Sequence, residues 1–283
     1  MAPSILAGVS ATGRSATVSE LVCYPVKGCA GQSLDTARMT VRGIDHDREF
    51  MIVDDDFSFR SQRSDPVLAV VTPSIDDDQL TLTHEEFGSV TCTIDRRSQP
   101  IDVTMFRAPF LGIDQGDDVA SWLSDVVGEA SRLVAVPSDF HRVTDGITPG
   151  TAAFADSSAV HILSESTLDG LNTRMDAPLP MNRFRPNIVV TGWDDPHTED
   201  LVRDISIGET ELAYTKLAIR CPVTTVDQAR GVRDGREPLK TLGTYRKARQ
   251  KGVAFGAKFS VVDGGTLSVG DTVNVTTWGE SEL

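Results

Sequence analysis

Short apolar runs rich in β-branched residues recur along the first third of the chain, at intervals of about ten residues. Glycine-containing pairs and aspartate-rich turns such as 76–78 separate these runs, and no helical pattern falls between them. Because strands that follow one another without intervening helices tend to pair with their neighbours, the pattern predicts an antiparallel sheet or barrel. The predicted strands cover residues 17–26, 37–41, 49–53, 67–71, 80–83 and 89–94.

One segment in the middle of the chain has helical periodicity instead. Its apolar residues recur at the spacing of one helix face over 117–127, acidic residues occupy the first turn, and Gly128 ends the pattern. The stretch 137–150 that follows is rich in polar residues, proline and glycine. We predict a helix over 117–127 and a linker or long loop after it.

The second half of the chain continues in the same style. Ser164 and Ser166 are both suitable N-caps for a short helix, and Pro238 suits the first turn of another. The chain as a whole is therefore predicted to be mostly β with a few helices. In this half the predicted strands cover 187–190, 212–217 and 267–275, and the predicted helices cover 166–175 and 238–247.

The chain has 283 residues, which is enough for roughly two domains or one large all-β domain. Its 27 basic and 41 acidic residues give a net charge of −14, which disfavours binding to nucleic acids and to anionic membranes. No apolar stretch is long enough for a membrane span, and residues 1–8 lack the basic leader of a signal peptide. With four cysteines and no Cys-x-x-Cys, we expect a cytoplasmic protein without a disulfide scaffold or zinc ribbon.

Cations and one thiol fall where predicted strands begin or end. The sequence contains none of the common phosphate-loop, dinucleotide, zinc-protease or hydrolase motifs, and its five histidines are scattered. If the fold gathers the strand-end cations, they form a pocket for an anion such as phosphate, which arginine grips with two hydrogen bonds. Taken singly, each cation is equally a surface group, and the cysteine equally a small buried hydrophobic residue. The residues concerned are Lys27 with Gly28, Arg48, Arg183 with Arg185, and Arg220 with Cys221.

The order of several short motifs resembles that of the MOSC proteins, which are named for the C-terminal domain of molybdenum-cofactor sulfurase. The motifs are Tyr24-Pro-Val-Lys27 with Gly28, Arg42-Gly43 before Asp47-Arg48, Arg183-Phe-Arg-Pro-Asn187, Arg220-Cys-Pro-Val-Thr-Thr-Val-Asp227, Pro238-Leu-Lys-Thr-Leu242 with Tyr245-Arg246, Phe255-Gly256 and Val269-Gly270-Asp271. The resemblance covers roughly residues 17–276 and is nearest to the two-part members, the class of the mitochondrial amidoxime-reducing component and its bacterial counterparts. It implies a MOSC β-barrel over 150–276 and a smaller α+β MOSC N-terminal domain over 17–136, whose first strands, about 17–50, contribute to the cofactor site.

The resemblance also implies a ligand, the molybdenum cofactor (Mo-molybdopterin), a pterin that carries a dithiolene and a terminal phosphate. In the family pattern Cys221 is the thiolate ligand to molybdenum and the catalytic residue, and a soft thiolate suits a sulfur-bound redox metal. The family as a whole is also associated with pyridoxal phosphate binding. The implied cofactor-binding residues are Lys27, Arg48, Arg185 and Arg220 for the pterin and phosphate, the backbone N–H of Gly28, and Asn187, Ser157 and Ser158 as hydrogen-bonding groups.

On this resemblance the expected function is that of a molybdenum-dependent oxidoreductase that reduces N-hydroxylated small molecules of the amidoxime or hydroxylamine type. Its electrons are expected from a separate donor protein, either a ferredoxin or a reductase of the flavin or NAD(P)H type. Asp227, near the cysteine, is a candidate proton donor or equally a turn carboxylate. The alternatives are a cofactor carrier or sulfur-transfer module without reductase activity, and a metal-free interaction protein that keeps only the fold.

Overall fold

A computed structural model describes residues 16–249 and 251–283, and strands are its dominant regular structure, which confirms the mostly-β prediction. Residues 1–8, in which we expect no signal peptide, lie outside the described residues. The strands are β1 (Thr17–Cys23), β2 (Val26–Lys27), β3 (Gln32–Leu34), β4 (Thr36–Thr40), β5 (Gly43–Ile44), β6 (Phe50–Val53), β7 (Thr72–Asp76), β8 (Gln79–His84), β9 (Gly88–Thr93), β10 (Ile101–Met105), β11 (Ala108–Asp114), β12 (Arg132–Ala135), β13 (Val143–Thr144), β14 (Gly150–Thr151), β15 (Val160–Ser164), β16 (Ile188–Thr191), β17 (Val202–Ile207), β18 (Thr210–Arg220), β19 (Val226–Asp227), β20 (Val232–Arg233), β21 (Val253–Asp263), β22 (Gly265–Ser268) and β23 (Val273–Trp278).

The α-helices of the described chain agree well with their predictions. Helix α1 (Asp117–Val127) has the predicted bounds, and Gly128 follows it in the left-handed conformation with φ 82°. Ser164 is the N-cap of α2 (Glu165–Asn172), because its Oγ accepts a hydrogen bond from the backbone N–H of Thr167 at 3.2 Å. None of these helices is long and apolar enough to cross a membrane. Their bounds are α1 (Asp117–Val127), α2 (Glu165–Asn172) and α3 (Leu239–Tyr245).

Three of the predicted strands differ in form. The predicted strand 17–26 is divided into β1 and β2 at Tyr24 and Pro25. Residues 67–70 belong to a 3-10 helix, Pro66–Val70, and Val71 follows it as an extended C-cap, because Pro66 has no N–H for a sheet and its fixed φ suits a first helical turn. The predicted strand 267–275 is interrupted between β22 and β23. Gly270 has φ 92° there, and the Asp271 carboxylate accepts a hydrogen bond from the N–H of Ser268 at 2.7 Å, so a turn separates the two strands.

The largest sheet joins the first strands of the chain to strands from its second half. Its order is β23–β17–β18–β21–β15–β16–β1–β3. Strand β1 pairs antiparallel with β16, with Leu21 opposite Ile188, whereas β15 and β16 run parallel. Leu21 and Ile188 belong to one buried core with Phe259 of β21. The start of the chain is therefore an integral part of this sheet.

A five-stranded sheet from the first half of the chain has the order β10–β11–β12–β6–β2. Helix α1 packs on it through Leu123, in a core with Phe50 and Leu133. Because β1 belongs to the larger sheet and β2 to this one, Tyr24 and Pro25 connect the two sheets directly. The smaller sheets are β22–β4–β5, β7–β8–β9, β13–β14 and β19–β20.

A buried carboxyl group supports the start of helix α2. Glu199 is fully buried, and its Oε2 accepts hydrogen bonds from the hydroxyl groups of Ser164 and Thr167, each at 3.0 Å. Burial raises the pKa of Glu199 to about 7, and the nearby charge of Asp200 acts in the same direction. The neutral carboxyl is therefore the form that suits this fold.

Glu199→Gln removes this titration while keeping an oxygen that accepts the same two hydrogen bonds. A pKa raised in the folded state adds stability at acidic pH, and that stability is lost as the pH rises through about 7. Between about pH 5 and pH 8, the unfolding free energy of the wild type should fall relative to that of E199Q by on the order of 2 kcal/mol, measured by urea unfolding.

The matched control is Glu211→Gln, because Glu211 is an exposed residue on β18. E211Q should follow the wild type over the whole pH range. An E199Q protein whose unfolding free energy keeps the wild-type dependence on pH would contradict the assignment.

Candidate functional site

A cavity of about 320 Å³ gathers seven of the nine residues proposed from the sequence. Its volume lies within the range of small-molecule sites, roughly 300–1,000 Å³. Ser158 and Asn187 do not line it, although Ser158 follows a lining residue and Asn187 contacts one. The seven lining residues are Lys27, Gly28, Arg48, Ser157, Arg185, Arg220 and Cys221.

Asp47 and Asn187 connect three distant chain segments behind the cavity. The Oδ1 atom of Asp47 accepts hydrogen bonds from the N–H of Tyr24 at 2.8 Å and from Nδ2 of Asn187 at 2.9 Å. Nη1 of Arg48 donates to Oδ2 of Asp47 at 2.5 Å and to Oδ1 of Asn187 at 3.2 Å. Both Asp47 and Asn187 are buried, so their role is to hold Arg48 at the cavity wall.

Two guanidinium groups share one aromatic ring. The Cζ atoms of Arg48 and Arg185 lie 4.6 Å and 4.2 Å from the ring centroid of Tyr24. Both arginines have left-handed backbones, with φ 52° and 54°, which is uncommon for residues other than glycine. Such conformations persist where the surroundings fix them, and here they bring both side chains to the same cavity.

Lys27 is the most buried of the predicted cations that line the cavity. Its Nζ donates to the carbonyl of Phe154 at 2.8 Å and forms an ion pair with Asp156. Burial acts to raise the pKa of Asp156, but the charges of Lys27 and Arg63 outweigh burial and hold that pKa below its usual value. Asp156 is therefore an ionised counter-ion at the cavity wall.

Cys221 is the cysteine that lines the cavity. It follows β18 in an extended conformation, and its carbonyl accepts a hydrogen bond from the N–H of Thr224 at 3.1 Å, which closes the turn after it. Cys221 is a free, half-buried thiol. Cys23 and Cys29 are buried elsewhere, where burial raises the pKa of each thiol, and Cys92 lies on β9. Among the described residues, no group of three potential metal-ligating side chains could hold a metal ion on its own.

Four basic side chains that the sequence analysis missed also line the cavity; Arg63 lies in a loop, and the other three lie on paired strands. His161 of β15 lies opposite Lys258 of β21, and Lys258 lies opposite Lys216 of β18. Opposite residues of antiparallel strands project from the same face of a sheet, so the three form a row that we call the basic row. The sequence signal for Lys258 is a single charge within the apolar run 253–261.

Gly256 makes room for the imidazole of the basic row. Its φ is 82°, and a Cβ at this position would lie only 2.5 Å from Nε2 of His161. Any other residue would therefore strain the backbone and displace His161. The resemblance includes Phe255-Gly256 as a motif, and the structure gives this glycine a steric reason.

The cavity carries more positive charge than its own residues neutralise. Burial lowers the pKa of Lys258 to about 7, and the charges of Arg48 and Arg220 act in the same direction. Burial also lowers the pKa of Arg185 to about 10. Such an arrangement suits an anionic ligand, which would supply the missing acceptors and negative charge. Four buried atoms at or next to the cavity have no hydrogen-bond partner among the described residues: Nη2 of Arg185, Nε of Arg220, Nε2 of His161 and Oγ of Ser158.

Asp227 is a turn carboxylate. Its Oδ1 accepts hydrogen bonds from the N–H groups of Ala229 at 2.9 Å and Arg230 at 3.1 Å, and its Oδ2 accepts from Nε of Arg230 at 3.1 Å. Asp227 does not line the cavity. The suggestion that it donates a proton there is therefore wrong, because its oxygens are used within its own turn.

The chain matches two family models and several curated proteins. Residues 15–130 match the MOSC N-terminal beta barrel domain, and residues 149–274 match the MOSC domain. Mitochondrial amidoxime reducing component 2 of Bos taurus is 35% identical over 277 residues, which cover 91% of this chain and 82% of that protein. The Rattus norvegicus component 2 is 33% identical over 279 residues, and the Homo sapiens component 1 is 31% identical over 280 residues, with the same two coverages.

The substitution Lys258→Met tests whether the cavity holds more positive charge than its own residues neutralise. The pKa of Lys258 is about 7 in the folded protein, below its ordinary value of about 10.4. The unfolded state therefore binds this proton more readily, and the free energy of unfolding falls as the pH drops from about 10 to about 7. In a buffer without multivalent anions, K258M should therefore unfold at a higher temperature than the wild type at neutral pH. Inorganic phosphate should raise the Tm of the wild type more than that of K258M.

The matched control is Lys240→Met, because the side chain of Lys240 on α3 is 72% exposed. K240M should keep both the wild-type Tm and its response to phosphate. A lower Tm for K258M together with an unchanged phosphate response would contradict the anion site.

Proposed function

Because the chain belongs to the MOSC family, in the two-part form that it has in common with the amidoxime-reducing components, we propose that it is a molybdenum-cofactor-dependent oxidoreductase that reduces N-hydroxylated compounds. The observation that carries the proposal is the half-buried thiol of Cys221 in the wall of a cavity otherwise rich in cations. A soft thiolate suits a sulfur-bound metal, and guanidinium groups suit the phosphate of the pterin that carries this metal.

The donor set of the cavity fits the molybdenum cofactor. Cys221 would supply the protein thiolate to the metal. The unpartnered guanidinium atoms of Arg185 and Arg220, with Lys258 of the basic row, would bind the phosphate and polar edges of the pterin. Lys27, Arg48, Gly28 and Ser157 line the same cavity and would complete the binding surface, with Asn187 and Ser158 behind it.

The bound cofactor supplies two-electron redox chemistry at its metal. In the net reaction an amidoxime takes up two electrons and two protons, its N–O bond breaks, and an amidine and water are released. The electrons come from a separate donor protein, of the ferredoxin or flavin reductase type. The chain itself fixes Arg48 through Asp47 and Asn187. Burial lowers the pKa of Lys27, and the ion pair with Asp156 opposes that shift.

Cys221→Ala should remove the activity, because the metal loses its protein thiolate. After expression in a host that makes the cofactor, the molybdenum content per chain should fall below that of the wild type but not to background, since the dithiolene and the cavity cations still hold the cofactor. The rate of benzamidoxime reduction with reduced viologen should fall by more than about a hundredfold, because even the loss of groups behind a metal ligand costs about 10- to 100-fold.

Cys92→Ala is the matched control, since Cys92 is a half-buried free thiol on β9, away from the cavity. C92A should keep the metal and the activity. A C221A protein that still reduces benzamidoxime would overturn the proposal. Wild-type protein that holds molybdenum but reduces no N-hydroxylated compound would instead be a cofactor carrier.

A further inference from the structure

An exposed aromatic hairpin tip adjoins the cavity. Met105 of β10 pairs with Ala108 of β11, so Phe106 and Arg107 form a two-residue loop, with φ 54° and 68°. Loops of this geometry strongly favour Asn-Gly, because both central residues need a positive φ. A phenylalanine is strained there, and strain of this kind is concentrated at ligand sites.

The ring of Phe106 packs against the cavity wall while remaining 45% exposed. Its centroid lies 4.6 Å from that of Phe59, which lines the cavity. Nζ of Lys27 lies 5.3 Å and Cζ of Arg63 lies 5.1 Å from the same ring, and both residues line the cavity as well. Phe106 therefore extends the cavity wall outward as an apolar rim.

The segment below this ring is tied to the same hairpin. The N–H of Thr104 donates to the carbonyl of Phe57 at 2.9 Å, and the N–H of Phe59 donates to the carbonyl of Thr104 at 2.9 Å. Phe57 also has a left-handed backbone, with φ 56°. Phe59 and Phe106 are thus held as one unit, and we call this pair the aromatic rim.

We propose that the aromatic rim is a stacking subsite for the planar aromatic part of the substrate, so that Phe106 selects aryl over small aliphatic N-hydroxylated compounds. This inference rests on the proposed function. An exposed ring beside a polar, cationic cavity offers contact area at little cost in side-chain entropy, and flat π systems gain from offset or edge-to-face packing. An aryl amidoxime combines such a ring with a polar N–OH group, which matches an apolar rim next to a polar cavity.

The test compares benzamidoxime with acetamidoxime on molybdenum-loaded wild type, Phe106→Gly and Phe106→Tyr. Glycine suits a positive φ, so F106G should fold with an unchanged or higher Tm. F106G should raise the KM for benzamidoxime about five- to tenfold and leave kcat, and the KM for acetamidoxime, within about twofold. F106Y should behave as the wild type. Phe87→Ala is the control, because Phe87 is 41% exposed between β8 and β9 and does not line the cavity.

Three outcomes would overturn the inference while leaving the proposed function intact. In the first, F106G has the wild-type KM for both amidoximes. In the second, its KM rises equally for both amidoximes, and in the third only its KM for a protein electron donor rises. The last would make the rim a docking surface for the donor instead. If the loaded wild type reduces neither amidoxime, the proposed function itself fails, and this inference fails with it.

Discussion

The carboxylate of Asp47 is the constraint on which the candidate site depends. It accepts hydrogen bonds from the N–H of Tyr24 and the amide of Asn187 with one oxygen, and it pairs with Arg48 through the other. These partners come from three segments that are far apart in the sequence. A buried carboxylate satisfied in this way is costly to disturb, so it sets the relative positions of the segments that bear Lys27, Arg48 and Arg185.

The cavity gathers buried cations without a matching number of carboxylates. A buried pair away from the cavity, Arg246 with Asp200 at 2.6 Å, combines one charge of each sign instead. Around the cavity, Lys258 and Arg185 have lowered pKa values and several buried polar atoms lack partners among the described residues. The chain has a net charge of −14, yet it gathers cations in this one cavity. An anionic ligand bound there would neutralise the excess positive charge and supply the missing hydrogen-bond acceptors.

The sequence predicted the parts of the fold that local rules control. Helix α1 has the expected bounds because its periodicity, acidic first turn and terminal glycine agree, and Ser164 caps α2 as its side-chain chemistry allows. The segment 67–71 failed because its apolar residues suit a buried strand or a buried 3-10 turn equally well, and Pro66 decides between them. Motif order brought out Cys221 and the arginines, but His161 and Lys258 become neighbours only through strand register, which no local pattern encodes.

The pairing of β1 with β16 has a consequence for biosynthesis. Thr17–Cys23 leaves the ribosome long before its partner strand, Ile188–Thr191, is translated. Contacts of such long sequence separation form late, so β1 docks only after β16 has been made. Arg48 and Arg185 consequently meet only when most of the polypeptide has been synthesised, and a ligand for the cavity can be loaded only at this late stage of maturation.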